Sequence, residues 1–201
     1  MGESKTNEFM MPQLVFATHN AHKTAEVALM LKSQFKILNL DDLGCHTEIP
    51  ETGSTFAENA AIKSAYVWQN YQIDCFADDS GLEVDALNME PGIYSARYSG
   101  GGDVANYQLI LSKLQGVSNR KARFKTVICL LIQGKELFFE GTLEGTIRQR
   151  PSGTQGFGYD PIFQPDGYTV TLAEMDMQEK NSISHRALAM RKLLDFLSNA
   201  D

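Results

Sequence analysis

Residues 122–132 and 136–147 are two long runs, rich in β-branched, aliphatic and aromatic side chains, on either side of Gly134-Lys135. A glycine-first pair suits the type II′ turn of a two-residue hairpin, because glycine takes positive φ without steric cost. The runs predict the longest strands of the chain. A long antiparallel hairpin in mid-chain excludes a purely doubly wound parallel fold. Helical and strand patterns surround it. A strand is expected over 13–18, after Pro12, and a helix over 20–31 with Ala25, Val27, Met30 and Leu31 on its apolar face. A second strand spans 35–40, and Thr55 with Glu58 has the form of a capping box opening a helix to Tyr71. Strand 75–77, a capped helix 103–114 after Gly100-Gly101-Gly102, and a glycine- and aromatic-rich loop 153–168 follow. Helix 184–198 closes the chain, with Leu188, Leu193, Leu194 and Leu197 inward. The class is α/β, a mixed sheet with a central antiparallel hairpin flanked by helices.

A chain of 201 residues with 43% hydrophobic content supports one sizeable core. Residues 1–12 read as a flexible polar leader and 13–201 as a single domain. The net charge of −7 argues against a nucleic-acid partner, which would demand a basic face. A small anionic substrate remains compatible, since a few cations in a cleft outweigh the average. Cys45, Cys75 and Cys129 are odd in number and widely spaced, as free thiols in a reducing compartment are. Zinc-site spacings are absent. No apolar run approaches a membrane span, and the N-terminus lacks a secretory pattern, so a cytoplasmic protein without a membrane partner is expected. Met1–Thr6 fits the loose myristoylation pattern, but no polybasic stretch supplies a second anchor.

Chemistry concentrates in five segments. Residues 76–85 read as an apolar run ending in Asp78 and Asp79, then a Ser80-Gly81 turn, then a second apolar run. Adjacent carboxylates repel unless a cation sits beside them, and Mg²⁺ takes one or two carboxylates while leaving room for phosphates. An ordinary acidic turn is the plain alternative. Thr18, His19, Asn20, Ala21, His22 and Lys23 join the first strand to the first helix, whose N-terminus suits phosphate. Lys23 in that first turn opposes the helix dipole, as it would beside an anionic ligand; a solvated lysine is the plain alternative. Glu51 precedes the helix bearing Asn59 and Lys63 and offers a third carboxylate.

In the loop Phe157-Gly158-Tyr159-Asp160, one aromatic is expected to stack on a base and the other to plug the core. Asp160 offers an acceptor for base or ribose. His185 and Arg186 place donors at the very start of the last helix, against its dipole, and Lys180 shortly precedes them. Neither a P-loop nor a GxSxG elbow occurs.

Taken in order, Thr18-His19-Asn20, Lys23, Glu26, Glu51-Thr52-Gly53, Asp78-Asp79-Ser80-Gly81-Leu82, residues 91–98, 156–161 and Ser184-His185-Arg186 resemble the inosine triphosphatase family of dITP/XTP pyrophosphatases. The resemblance runs from about residue 13 to 198. It implies a two-lobed α/β fold with a nucleotide cleft between the lobes, a homodimer, and Mg²⁺-dependent cleavage of ITP, dITP and XTP to monophosphate and pyrophosphate. By position, Thr18 to Lys23 bind the triphosphate, Asp79 is general base, and Glu51 and Asp79 hold the metal. Ser80, Phe157 to Asp160, Lys180, His185 and Arg186 meet the nucleotide, and Lys63 and Asp78 match further polar positions. His19 departs from the glycine of many members, which alters how closely that turn approaches phosphate; the imidazole itself is an alternative phosphate contact. Lys180 and Arg186, donors only, would favour a 6-oxo purine over adenine. Guanine shares that oxo group and is not separated by it. Maf-like pyrophosphatases and a non-hydrolysing nucleotide sensor are the alternative readings.

Overall fold

The computed structural model describes residues 13–31 and 35–199. The expected leader over 1–12 lies outside them. Six strands form one sheet in the order β2-β1-β3-β4-β5-β6. They are β1 (Gln13–Phe16), β2 (Lys36–Asn39), β3 (Cys75–Val84), β4 (Lys121–Ile132), β5 (Lys135–Ile147) and β6 (Phe163–Pro165). β1 pairs in parallel with β2 and β3, and the remaining pairs are antiparallel, so the sheet is mixed. The main helices are α1 (Ala21–Leu31), α2 (Phe56–Tyr71), α3 (Gly102–Lys113), α4 (Met177–Ile183) and α5 (His185–Ser198).

The long hairpin is present, and its turn differs from the expected one. Ile132 pairs with Lys135, leaving Gln133 and Gly134 as the central residues, with φ of 50° and 75°. Two positive φ values belong to a type I′ turn, whose twist matches the flanking strands. A larger correction concerns Ser80-Gly81. These residues do not turn: β3 runs unbroken and pairs residue for residue with β4 from Cys75–Leu131 to Val84–Ala122. Gly81 is needed for a different reason. A Cβ there would lie 2.3 Å from the Gly92 carbonyl oxygen and 2.6 Å from Ser95 Oγ.

At about 3.3 Å per residue, β3 and β4 are long enough to serve two cores. Near one end, Phe76, Ile128 and Leu130 pack with Val27, Leu31, Met190 and Leu193 of α1 and α5. On the opposite face Cys75, Ala77 and Leu131 pack with Val67 of α2. At the other end Leu82, Val84 and Phe124 join Ile110 of α3, Ile147 and Phe163. Between these apolar ends lie Asp78, Asp79, Ser80 and Thr126, a polar waist across the sheet. Two lobes thus share their longest strands, and the cleft opens at the waist.

Smaller departures have local causes. Ala25 is exposed and Glu26 takes its place on the buried face of α1, held there by two cations. Thr55 caps α2 by accepting from the Glu58 N–H, but the Glu58 carboxylate accepts from Ser54 N–H and Oγ, so the reciprocal half reaches one residue further back. α3 has no side-chain cap, because its cap residue is Gly101, which has no side chain; Asp103, inside the first turn, accepts from the Gly158 N–H at 2.7 Å. Of the four leucines expected inward on α5, Leu193 is fully buried and Leu188, Leu194 and Leu197 are half-buried.

Candidate active site

A cavity of about 700 Å³ occupies the waist. Among the residues singled out from the sequence, Thr18, His19, Asn20, Lys23, Glu51, Lys63, Asp79 and Ser80 line it, as do Phe157, Gly158, Tyr159, Asp160, Lys180, His185 and Arg186. Ala21, His22 and Asp78 do not. Side chains separated by more than 160 residues in sequence therefore face one space.

On one wall, β1 ends and α1 begins. Asn20 acts as the N-cap, its Oδ1 accepting from the Lys23 N–H at 3.1 Å. The N–H groups of His19, Ala21 and His22 have no acceptor among the described residues. This is the unpaired helix start that an anionic oxygen satisfies.

β3 then delivers two aspartates in opposite directions, since successive strand residues face opposite sides. Asp78 accepts from Lys23 Nζ at 2.8 Å and from Arg186 Nε at 3.1 Å. Burial alone would raise its pKa, but Lys23, Arg186 and Lys63 outweigh that and hold it far below the usual carboxylate range. Asp79 meets α2 instead. Its Oδ2 accepts from Asn59 Nδ2 at 2.9 Å, and Lys63 Nζ stands 4.0 Å from Oδ1. Here burial prevails over Lys63 and Asn59, with Glu51 adding in the same sense, so Asp79 is the more basic of the pair.

Glu51 receives Lys63 Nζ at 2.7 Å on Oε1 and Arg97 at 3.2 Å on Oε2. Burial pushes its pKa up, yet the Lys63 ammonium and the other cations bring the net shift down, so it stays ionised. Glu51 and Asp79 thus flank Lys63 with two carboxylates. No group of three or more His, Cys, Asp or Glu suited to a metal occurs among the described residues. Two carboxylates beside an open, anion-ready space fit Mg²⁺, which retains water and takes substrate phosphates in place of an all-protein cage.

The opposite wall rests on a buried chain of alternating charge. Lys180 Nζ bonds Asp160 Oδ2 at 2.7 Å and Glu26 Oε1 at 2.8 Å. Glu26 also accepts from Arg186, which in turn reaches Asp78 and Ser80 Oγ. Asp160, Lys180, Glu26, Arg186, Asp78 and Lys23 form three acids and three bases in sequence. Arg186 carries five N–H donors and Lys180 three, so donors remain beyond these internal bonds. Asp160 is drawn into this network, and its Oδ2 also caps the Phe157 N–H at 2.9 Å, so its carboxylate braces the loop.

One of the two aromatics plugs the core, as expected. Tyr159 is buried in the second lobe and donates its hydroxyl to the Ser95 carbonyl at 2.8 Å. Phe157 is half-buried on the cavity, with Lys180 Nζ 4.8 Å from its ring centroid and the His22 ring stacked at 5.3 Å. His185 stacks on Phe124 at 4.7 Å. Burial, then Arg186 and Lys180, push its pKa well below the ordinary range, so the ring is neutral, and its buried Nδ1 has no partner. The ring as a whole lines the cavity, where a neutral imidazole can meet a polar edge of a ligand.

Sequence reasoning left three contributors without a site role. Asn59 fixes Asp79, Glu26 joins the two cations of the far wall, and Asp103 ties Gly158 to α3. Glu26 gave a signal, an acid on an otherwise apolar helix face one turn after Lys23. Asn59 and Asp103 gave none, because their partners are set by tertiary packing.

The Ham1 family model matches residues 14–196. The dITP/XTP pyrophosphatase of Flavobacterium psychrophilum is 51% identical over 189 residues, covering 93% of this chain and 100% of the relative. That of Porphyromonas gingivalis is 48% identical over 93% of this chain and 98% of the relative. Among solved structures, the Staphylococcus aureus Ham1 protein superposes with a TM-score of 0.85 at 38% identity, covering 94% of this chain and all of that one. A nucleoside-triphosphatase/dITP/XTP pyrophosphatase from Mycobacterium abscessus gives 0.74 at 41% identity, covering 90% and 98%. With its lobes, its waist and nearly its whole length matched, the chain belongs to the Ham1 family.

Proposed function

We propose that this protein hydrolyses ITP, dITP and XTP to the nucleoside monophosphate and pyrophosphate. The observation that carries the reading is the contrast within Asp78-Asp79. One carboxylate is locked in ion pairs, and its neighbour is kept basic on a cavity wall facing an unpaired helix N-terminus. A base that takes a proton from water beside a polyanion needs that arrangement.

In this reading the His19 N–H and the Lys23 and Lys63 ammonium groups, all on the cavity, hold the triphosphate tail, and the unpaired N–H groups of Ala21 and His22 just behind them add the positive end of the helix dipole. Thr18 and Asn20 shape that turn. Asp79 orients water and accepts its proton as the water oxygen attacks the α-phosphorus and the bond to the bridging β-oxygen breaks, releasing pyrophosphate. Glu51 and Asp79 would hold Mg²⁺, which would supply charge neutralisation for the triphosphate. Phe157 provides the flat surface for the base, and the spare donors of Lys180 and Arg186, with Ser80 and His185, read its polar edge. A C6 carbonyl pairs with donors, and an adenine amine leaves them unpaired, which costs orders of magnitude in efficiency.

The enzyme acts as a homodimer on the cytoplasmic nucleotide pool. Pyrophosphate release from ITP in the presence of Mg²⁺, its loss with a chelator, and a much lower rate with ATP test the reading directly. Equal rates on ATP and ITP would remove it. Sedimentation addresses the dimer independently.

A further inference from the structure

Residues 45–53 adopt neither helix nor strand, yet the segment carries Glu51 near its end and lays Glu48, Ile49 and Pro50 along the cavity. Among the described residues no backbone–backbone hydrogen bond involves residues 46–52. The ends of this strap are tied by Cys45 N–H to the Leu40 carbonyl and by Gly53 N–H to Asn59 Oδ1; between them, among the described residues and apart from the ion pairs of Glu51, one hydrogen bond fastens residues 46–52, from the His19 Nε2 to the Thr47 carbonyl at 3.1 Å. The other ring nitrogen, Nδ1, lies 2.9 Å from Asp41 Oδ1.

Both partners are acceptors. A peptide carbonyl has no proton to give, and neither does an ionised carboxylate. A neutral imidazole carries one N–H and would set a lone pair against one of them. The imidazolium carries two and satisfies both. The charged groups around the ring are Asp41, from the turn after β2, and Glu48 of the strap itself. Both are acidic.

We infer that His19, in its imidazolium form, is a positioning residue that pins the strap bearing Glu51 to the turn at the start of α1. The inference rests on the proposed function only for what the strap serves; the pin is a property of the fold. Consistent with this, burial lowers the His19 pKa, but the Thr47 carbonyl and the Asp41 and Glu48 carboxylates outweigh it, and the net shift is upward.

The decisive experiment follows the ring nitrogens of His19 by ¹⁵N NMR across a pH titration of the full chain, with backbone relaxation in parallel. Both nitrogens should be protonated together, with a midpoint above the ordinary value and lower in Asp41→Asn. In His19→Gln, order parameters over 46–52 should fall from about 0.85 towards 0.6. In turnover of ITP, His19→Gln should raise KM about tenfold, the scale of one or two net hydrogen bonds, with kcat nearly unchanged. The KM of the parent should rise as pH passes the His19 midpoint. His19→Lys, a permanent cation with donors for both acceptors, should restore KM and abolish that pH dependence. A His19 that titrates at or below the ordinary value, or a strap equally ordered in His19→Gln, overturns the inference even if ITP is hydrolysed. If ITP is not hydrolysed at all, the NMR arms still decide the pin, and the function is what fails.

Discussion

Neighbours in sequence, Asp78 and Asp79 meet opposite surroundings because a strand alternates its side chains between faces. Two identical carboxylates thereby acquire different basicities with no difference in local sequence. Replacing Asp79 by Asn should lower kcat by about 10²- to 10⁴-fold, the range of a positioned proton acceptor, while ITP still binds. Pyrophosphate release and equilibrium binding measure the two separately, and near-parental turnover would remove Asp79 from its role. The pH dependence carries a sign. Asp79 must be ionised to accept a proton, and burial raises its pKa above the ordinary 3.8. In the metal-free protein the Asp79 carboxyl should therefore take up its proton above that value as pH falls; side-chain carboxyl NMR across a pH series checks this, and a midpoint at or below 3.8 would overturn it. Phe157 allows a separate test at the same scale. Its loss in Phe157→Ala should weaken ITP binding roughly 5- to 150-fold, the equivalent of about 1–3 kcal/mol of stacking. Binding of inorganic pyrophosphate should be unaffected. Equal losses for both ligands would place Phe157 outside the base subsite.

At the scale of elements, the hairpin, α1, α2 and α5 were legible because each has a periodicity, a cap or a turn residue that acts locally. β3 was not. Asp-Asp-Ser-Gly has the composition of a turn, and only the ten-residue pairing with β4 overrides it. The site was legible as a set of residues and opaque as a network. Arg186 announced itself by opposing a helix dipole, but its buried partner Glu26 lies 160 residues earlier in the chain. Glycine placement shows how elements carry the site. A Cβ on Gly141 of β5 would lie 2.1 Å from the His185 carbonyl oxygen and 2.6 Å from the Ala189 nitrogen. Backbone cannot yield there as a flexible side chain can. Gly141→Ala should push the first turn of α5 off the sheet, costing about 1–3 kcal/mol. It should also lower kcat/KM for ITP, because His185 and Arg186 ride on that turn. Thermal melting and steady-state kinetics check both effects; a variant with parental stability and activity would mean that α5 does not need this contact.

Across the whole molecule, the alternating chain from Asp160 to Lys23 joins the loop of one lobe to the helix start of the other through the polar waist. Its six charges balance, so it costs less than its members would singly, but removing one member strands its partners. Arg186 is the most exposed to this logic, being fully buried and bonded to Asp78, Glu26 and Ser80. Arg186→Ala should destabilise the fold by about 3–5 kcal/mol, and a chain of this size should melt roughly 6–20 °C lower. The acid response follows from linkage. Asp78 and Glu26 have depressed pKa values in the fold, through their cations and against burial. Each therefore contributes stability above its unfolded pKa that is lost as pH falls through the lower, folded one. Without Arg186 those depressions shrink. The stability of the variant should then change less between neutral and acid pH than that of the parent. Melting curves at matched pH read this directly, and equal melting temperatures at neutral pH would show that the network holds no weight. The same measurement governs any test of base selectivity. The ratio of ITP to ATP efficiency in Arg186→Ala reports on the donor set only at temperatures where the variant remains folded. There the ratio should fall, because a lost donor penalises the oxo base and spares adenine.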